Sequence, residues 1–243
     1  MSLINTIRRL SHALLPVQCA SCENTLDGDP VPFFCRSCWE TVQPISEPFC
    51  PCCGRPFPSP LTLRYSPEHV CGMCRLRRPA YTRAWSLYRY DSPLQEAIRL
   101  FKYHKKVALA DALGALMQCL SLDLLSVDAV MPVPLYATRL RDREYNQSLL
   151  LAERVSRARR LPLSYDNLIR TRDTPPQTEL TRAVRLNNVR RAFAVQRPEE
   201  VAGKRILVID DVFTTGATVN ECAKTLRRAG ATDVYVCTLA RTV

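Results

Sequence analysis

The chain has no run of 18 apolar residues, so no segment is long enough to cross a bilayer as a helix. It also lacks the pattern of a secretory leader. Met1–Pro16 carries Leu3, Ile4, Ile7, Leu10, Leu14 and Leu15 at helical spacing, but Arg8 and Arg9 interrupt the run and no small-residue cleavage site follows. The spacing predicts a short amphipathic helix over 1–18 that packs on the next module, with contact to a membrane surface as the minor reading. Without an export signal the expected compartment is the cytoplasm, where thiols stay reduced and paired cysteines usually hold zinc. No internal repeat extends beyond CxxC pairs. Aromatics make up 7% of the residues and are barely interleaved with the basic stretch Arg139–Arg191, which argues against a base-stacking platform there.

What is abundant is positive charge and cysteine. The formal net charge is +11. Residues 1–80 carry eight Lys/Arg and six Asp/Glu, residues 81–243 carry 26 and 17, and Arg139–Arg191 holds 13 Arg against six acids. Such a balance points to an anionic partner, either nucleic acid or a phosphorylated small molecule, and charge alone does not choose between them. At 47% hydrophobic and 23% charged residues the composition is that of a globular chain.

Nine of the twelve cysteines fall between Cys19 and Cys74. Cys19-x2-Cys22 and Cys35-x2-Cys38 form one set, and each CxxC turn aims two thiolates at one point. Two such turns give the closed tetrahedral four-sulfur shell of structural zinc. Cys50, Cys53, Cys71 and Cys74 form a second set, with Gly54 and Gly72 suited to the tight turns. Cys52 is left over, able to replace Cys50 or Cys53 or to stand aside, and His69 is a further competitor. About two structural zinc ions per chain are expected. Cys119, Cys222 and Cys237 read as small core residues. A Cys- and Pro-rich segment without long periodic elements needs such a staple, and this sets the module at 19–80.

From Tyr81 the pattern changes to alternating strands and helices. Trp85–Tyr90, Val127–Val133, Pro162–Ile169, Ala192–Val195, Ile206–Ile209 and Asp233–Leu239 read as strands. Pro93–Tyr103, Val107–Leu122, Asn146–Arg160 and Thr218–Ala229 read as helices. This alternation predicts an α/β domain over 81–243 with a parallel sheet covered on both faces. Arg170–Asn187 is long and polar enough for a functional loop.

The richest stretch is Ile206-Leu-Val-Ile-Asp210-Asp211-Val212-Phe213-Thr214-Thr215-Gly216-Ala217-Thr218. An apolar strand delivers two carboxylates, and a Thr/Gly turn opens into a helix. Ligands of open α/β sheets bind at this edge. Turn amides and the helix N-terminus favour an anion, and the threonine hydroxyls donate to the same group. Paired acids beside an anion make sense if they meet hydroxyl donors, with magnesium nearby. A phosphoacceptor aspartate, as in response regulators, leaves the threonine cup without a purpose.

The segment resembles, position by position, the PRPP-binding motif of type I phosphoribosyltransferases. That resemblance implies that Asp210 and Asp211 hold the ribose hydroxyls and that Phe213–Thr218 hold the 5-phosphate of phosphoribosyl pyrophosphate (PRPP), bound with Mg. Over nearly the whole chain, the Cys-rich start, Pro132-Val-Pro134-Leu135, Arg139, Arg143, Tyr145-Asn-Gln-Ser148, Leu150-Leu-Ala152, Arg170-Thr-Arg172 and the ending Arg241-Thr-Val resemble the ComF/GntX family of competence and DNA-utilisation proteins. Glu144 departs from the family's usual glycine. By the resemblance Leu135–Arg143 is the pyrophosphate loop, and Arg170–Arg185 is a closing hood in which Arg172, Arg182 or Arg185 meets the leaving group. Physically, Arg139 and Arg143 are either bidentate ligands of a diphosphate or surface arginines that precede a helix. It implies a phosphoribosyltransferase with an unknown acceptor, or else a non-catalytic PRPP or nucleotide sensor touching single-stranded DNA or competence proteins. A homodimer is compatible with either.

Overall fold

The computed structural model describes residues 17–59, 61–118, 126–173 and 189–243. The expected helix over 1–18, Cys119, Arg182 and Arg185 therefore lie outside the described residues, except for positions 17 and 18. In chain order the elements are α1 (Arg36–Trp39), α2 (Leu61–Tyr65), α3 (Gly72–Leu76), β1 (Arg83–Arg89), α4 (Leu94–Tyr103), α5 (Leu109–Met117), β2 (Ala129–Pro132), α6 (Ala137–Arg143), α7 (Gln147–Arg159), β3 (Leu168–Arg170), β4 (Phe193–Val195), β5 (Arg205–Phe213), α8 (Ala217–Arg228) and β6 (Asp233–Arg241).

The central sheet has the order β1-β6-β5-β2, and every pair in it is parallel. A parallel strand buried on both faces needs apolar residues in succession, and Ile206, Leu207, Val208 and Ile209 of β5 are all fully buried. Their alternation divides the core. Leu207 and Ile209 turn to one cluster with Leu94, Ile98 and Phe101 of α4, Leu113 of α5 and Leu151 of α7. Ile206 and Val208 turn to a second cluster with Val219, Cys222 and Leu226 of α8. The expected sheet with helices on both faces is present. Cys222 and Cys237 are wholly buried in it, as small core residues should be.

Three expectations are corrected. β5 continues through Asp210 and Asp211 to Phe213, because Asp210, Val212 and Phe213 still pair with β6. The predicted strand Pro162–Ile169 is broken: Leu163 makes one parallel bridge to Val130, and β3 begins only at Leu168 and pairs antiparallel with β4. Leu135–Arg143, expected as a loop, contains the helix α6.

The cysteine module is built into the sheet rather than beside it. Ile45 N–H donates to Leu87 O at 2.8 Å, Arg89 N–H to Gln43 O at 3.0 Å and Ala84 N–H to Cys52 O at 2.8 Å. These bonds occupy the free edge of β1, which would otherwise present unpaired amides to solvent. Cys19, Phe34 and Cys35 join the core on one face, and Cys50, Cys53, Cys71 and Cys74 join the core on the other. The module straddles the edge.

Candidate functional site

At the C-terminal ends of β2 and β5 the sheet opens into a cleft of about 660 Å³. Its floor is the acid pair. Asp211 is 3% exposed, and Lys102 Nζ from α4 lies 2.8 Å from its Oδ1. Asp211 Oδ2 is buried with no hydrogen-bond partner among the described residues. Asp210 accepts from Ser148 Oγ at 2.9 Å and from Asp211 N–H at 3.0 Å. Burial and then the neighbouring Asp211 charge push the Asp210 carboxyl up to about 7. Lys102 loses hydration by burial, yet the two acids hold its pKa above the ordinary lysine value. Near neutral pH the pair therefore carries less charge than two free carboxylates, and Lys102 offsets part of what remains. This lowers the repulsion that an anion near the pair would meet.

The helix α7 is placed by its cap. Asn146 accepts from Ser148 N–H at 3.0 Å, and its Nδ2 donates to Val133 O at 3.0 Å. That bond fixes the start of α7 to the end of β2 and delivers Ser148 to Asp210. Tyr145 completes the anchor by donating to Phe101 O. The Tyr-Asn-Gln-Ser run is thus a device for orienting the acid.

Two basic walls face the floor. Arg99, Lys102 and Lys105 come from α4 and the turn after it, and Arg139, Arg143 and Arg170 come from α6 and the end of β3. Burial first, and then the charge of Arg143, lower the pKa of Arg139; burial and then Arg139 lower that of Arg170. Guanidinium groups gathered so closely repel one another, and a multivalent anion relieves that repulsion. Arg143 also stacks over Tyr103, 5.0 Å from the ring centroid. Glu144 adopts φ +69°, a left-handed conformation that explains a glycine preference here, and pairs with Lys105.

The structure brings Asp210, Asp211, Thr214, Thr218, Arg139 and Arg143 to this one cleft. Val212 also lines it, while Phe213, Thr215, Gly216 and Ala217 border a second cleft of about 580 Å³ on the other side of the same turn. Gly216 has φ +75° and immediately precedes α8 as its N-cap, so the turn bends where only glycine is relaxed. Arg172 is not among the lining residues of either cleft, and it donates at 2.8 Å to the carbonyl of Arg190, which borders the second. Sequence reasoning missed Lys102 and Ser148 as site residues and gave Arg170 only as the first residue of the hood, with no role of its own. Lys102 and Ser148 sit on helices read for their apolar faces, and only the folded sheet brings them to Asp210 and Asp211.

Both cysteine sets close. In each, the four Sγ atoms lie within 4.8 Å of one another. Four thiolates about 2.3 Å from one ion are about 3.8 Å apart, and Cys22–Cys35 at 3.6 Å and Cys53–Cys71 at 3.7 Å fit that spacing. Cys35 N–H points at Cys19 Sγ, and Cys71 N–H at Cys50 Sγ. These donors stabilise thiolates, and the sets fit structural zinc. Cys52 is not one of the four thiols of its set. His69 packs against the Phe57 ring.

Comparison with known proteins agrees with this architecture. Residues 10–75 match the double zinc ribbon domain and residues 146–242 the phosphoribosyl transferase domain. Competence protein F of Haemophilus influenzae is 31% identical, over 85% of this chain and 90% of its own length. The DNA utilization protein YhgH of Escherichia coli strain K12 is 34% identical, over 86% and 90%. Competence protein ComFC of Bacillus subtilis is 28% identical, over 85% and 83%. Among solved structures, the B. subtilis glutamine PRPP amidotransferase with ADP and GMP overlaps at a TM-score of 0.37 and 25% identity, over 53% of this chain and 25% of its own. With a double cysteine ribbon built onto a phosphoribosyltransferase-type sheet, and relatives that align over most of their length, the chain belongs to the ComF/GntX family of competence and DNA-utilisation proteins.

Proposed function

We propose that the cleft binds PRPP and transfers its 5-phosphoribosyl group to an acceptor nucleophile. The observation that carries this reading is the acid pair and threonine turn at one sheet edge, opposite two basic walls. Asp210 and Asp211 accept from the ribose hydroxyls, the turn Phe213–Thr218 takes the 5-phosphate, and Arg139, Arg143 and Arg170 take the diphosphate. The bond from the acceptor to C1 forms on the face opposite the C1–O bond that breaks. Diphosphate leaves with the electron pair, and any proton on the acceptor passes to water. Magnesium bound with the diphosphate supplies charge neutralisation, and the carboxylate and diphosphate oxygens are the hard donors it prefers. The work of the chain's own residues is positioning and electrostatic stabilisation. The relatives' names, which speak of competence and DNA utilization, support a role in DNA uptake or use.

Replacing Asp210 and Asp211 together by Asn is expected to abolish PRPP binding in calorimetry while circular dichroism stays native. Unchanged affinity refutes the assignment. Pyrophosphate release across a panel of nucleobases then separates catalysis from sensing, since binding without turnover favours the sensor.

A further inference from the structure

The turn that takes the 5-phosphate in this reading is underlain by a buried cation that the proposed chemistry leaves unused. Arg241 ends β6 directly opposite Phe213 of β5, and Thr242 N–H donates to Phe213 O at 3.2 Å. The Arg241 guanidinium carbon lies 4.4 Å from the centroid of the Phe213 ring. Its Nη1 donates to Cys53 O at 2.6 Å, and Cys53 is a thiol of the second cysteine set. At the tip of the same ring, a Cβ added at Gly216 would come within 2.5 Å of Phe213 Cζ. The turn therefore rests on the ring, the ring on the guanidinium, and the guanidinium on the cysteine set.

Packing alone does not call for an arginine here. Arg241 is 5% exposed, and its Nε has no partner among the described residues. An apolar side chain would fill the space without the cost of burying a charge and a bare donor. What an apolar residue would lack is the planar fork, whose face stacks on an aromatic ring while its edge fixes a carbonyl. The charge also lines the cleft that Thr214, Thr215 and Gly216 border, and so adds to the positive potential there.

We propose that Arg241 is a positioning residue for the phosphate turn, coupling the order of the second cysteine set to the affinity of that turn for a sugar 5-phosphate. This rests on the reading of the turn as the 5-phosphate site. The two cysteine sets then differ in role, since the described contacts of Arg241 reach only the second.

The test is calorimetric titration of the zinc-loaded protein with two ligands separately, ribose 5-phosphate for the turn and pyrophosphate for the basic walls. Arg241→Met is expected to keep both zinc ions and its circular dichroism, to lose about tenfold in ribose 5-phosphate affinity, and to hold pyrophosphate affinity within about twofold. Arg241→Lys, with the charge but not the fork, should fall between. Should Arg241→Met fail to fold, Phe213→Leu removes the same ring contact and is expected to give the same split. Equal losses for both ligands mean a general structural role, and an unchanged ribose 5-phosphate affinity means none; either overturns the proposal. Wild-type protein that binds pyrophosphate but no ribose 5-phosphate would instead sink the reading of the turn, and the coupling with it.

Discussion

Asp210 shows what one residue costs the fold. Its carboxyl ordinarily titrates at 3.8, and burial with Asp211 beside it moves this to about 7. Between those values the folded protein binds a proton that the unfolded chain has released. Stability from this group is therefore present in full at low pH, falls as pH rises from about 4 to about 7, and stays lost above that. Asp210→Asn keeps an oxygen for Ser148 and removes the titration. The melting temperature of the variant minus that of wild type is therefore expected to grow between pH 4.5 and pH 8. A difference that is flat or that shrinks would show that Asp210 is not held protonated by the fold. On the proposed role of Asp210 the same substitution should also abolish ribose binding, which would make it a residue that the fold tolerates for its chemistry. Lys102 is the counterweight. It was invisible in the sequence because Lys102 lies 109 positions before Asp211, on a helix whose pattern reports only which face is buried.

At the scale of elements, the strands and helices that carry the sheet were legible because their periods are clean. α4 buries Leu94, Ala97, Ile98 and Phe101 at helical spacing, and β5 is apolar without a break. The end of β5 was not legible. Two acids look like the close of a strand, and only the pairing with β6 keeps Asp210 to Phe213 extended. α6 was hidden because seven residues with three arginines show no apolar stripe. The candidate site was half legible: the acids and threonines form a local motif, whereas Ser148 and Arg170 arrive by topology. Gly216 belongs to the legible half, and the structure adds a second reason for it. Alanine there must hold φ near +75° and also displace the Phe213 ring. The left-handed strain alone is about 1–2 kcal/mol, which lowers the melting temperature by roughly 2–8 °C in a chain of this size. Gly216→Ala is expected to show at least that loss together with weakened ribose 5-phosphate binding. A variant as stable as wild type would mean the turn relaxes freely, contrary to a turn held on the ring.

For the whole molecule, the sequence separates a cysteine module at 19–80 from the domain after it, but the structure gives them one core surface on each face of the sheet. The two cysteine sets are unequally protected. In the first, Cys22 is exposed and Cys38 half-buried, while all four thiols of the second are buried. Ligand exchange at zinc needs access to the sulfurs, so a chelator should take one equivalent quickly and the other slowly. The second loss matters more. It frees the turn that contains Cys52, whose carbonyl caps Ala84 N–H, and Cys53, whose carbonyl holds Arg241. Gly54 sits so close that a Cβ there would come within 2.8 Å of Ala84 O, so this turn is a tight contact between module and strand. Releasing it uncovers part of the β1 edge, and an open edge recruits other chains. Zinc release followed with a colorimetric chelator is expected to be biphasic, with one equivalent in each phase. Light scattering should stay flat through the first phase and rise with the second. Release in a single phase, or scattering that climbs with the first equivalent, would mean that the buried set does not hold the sheet edge closed.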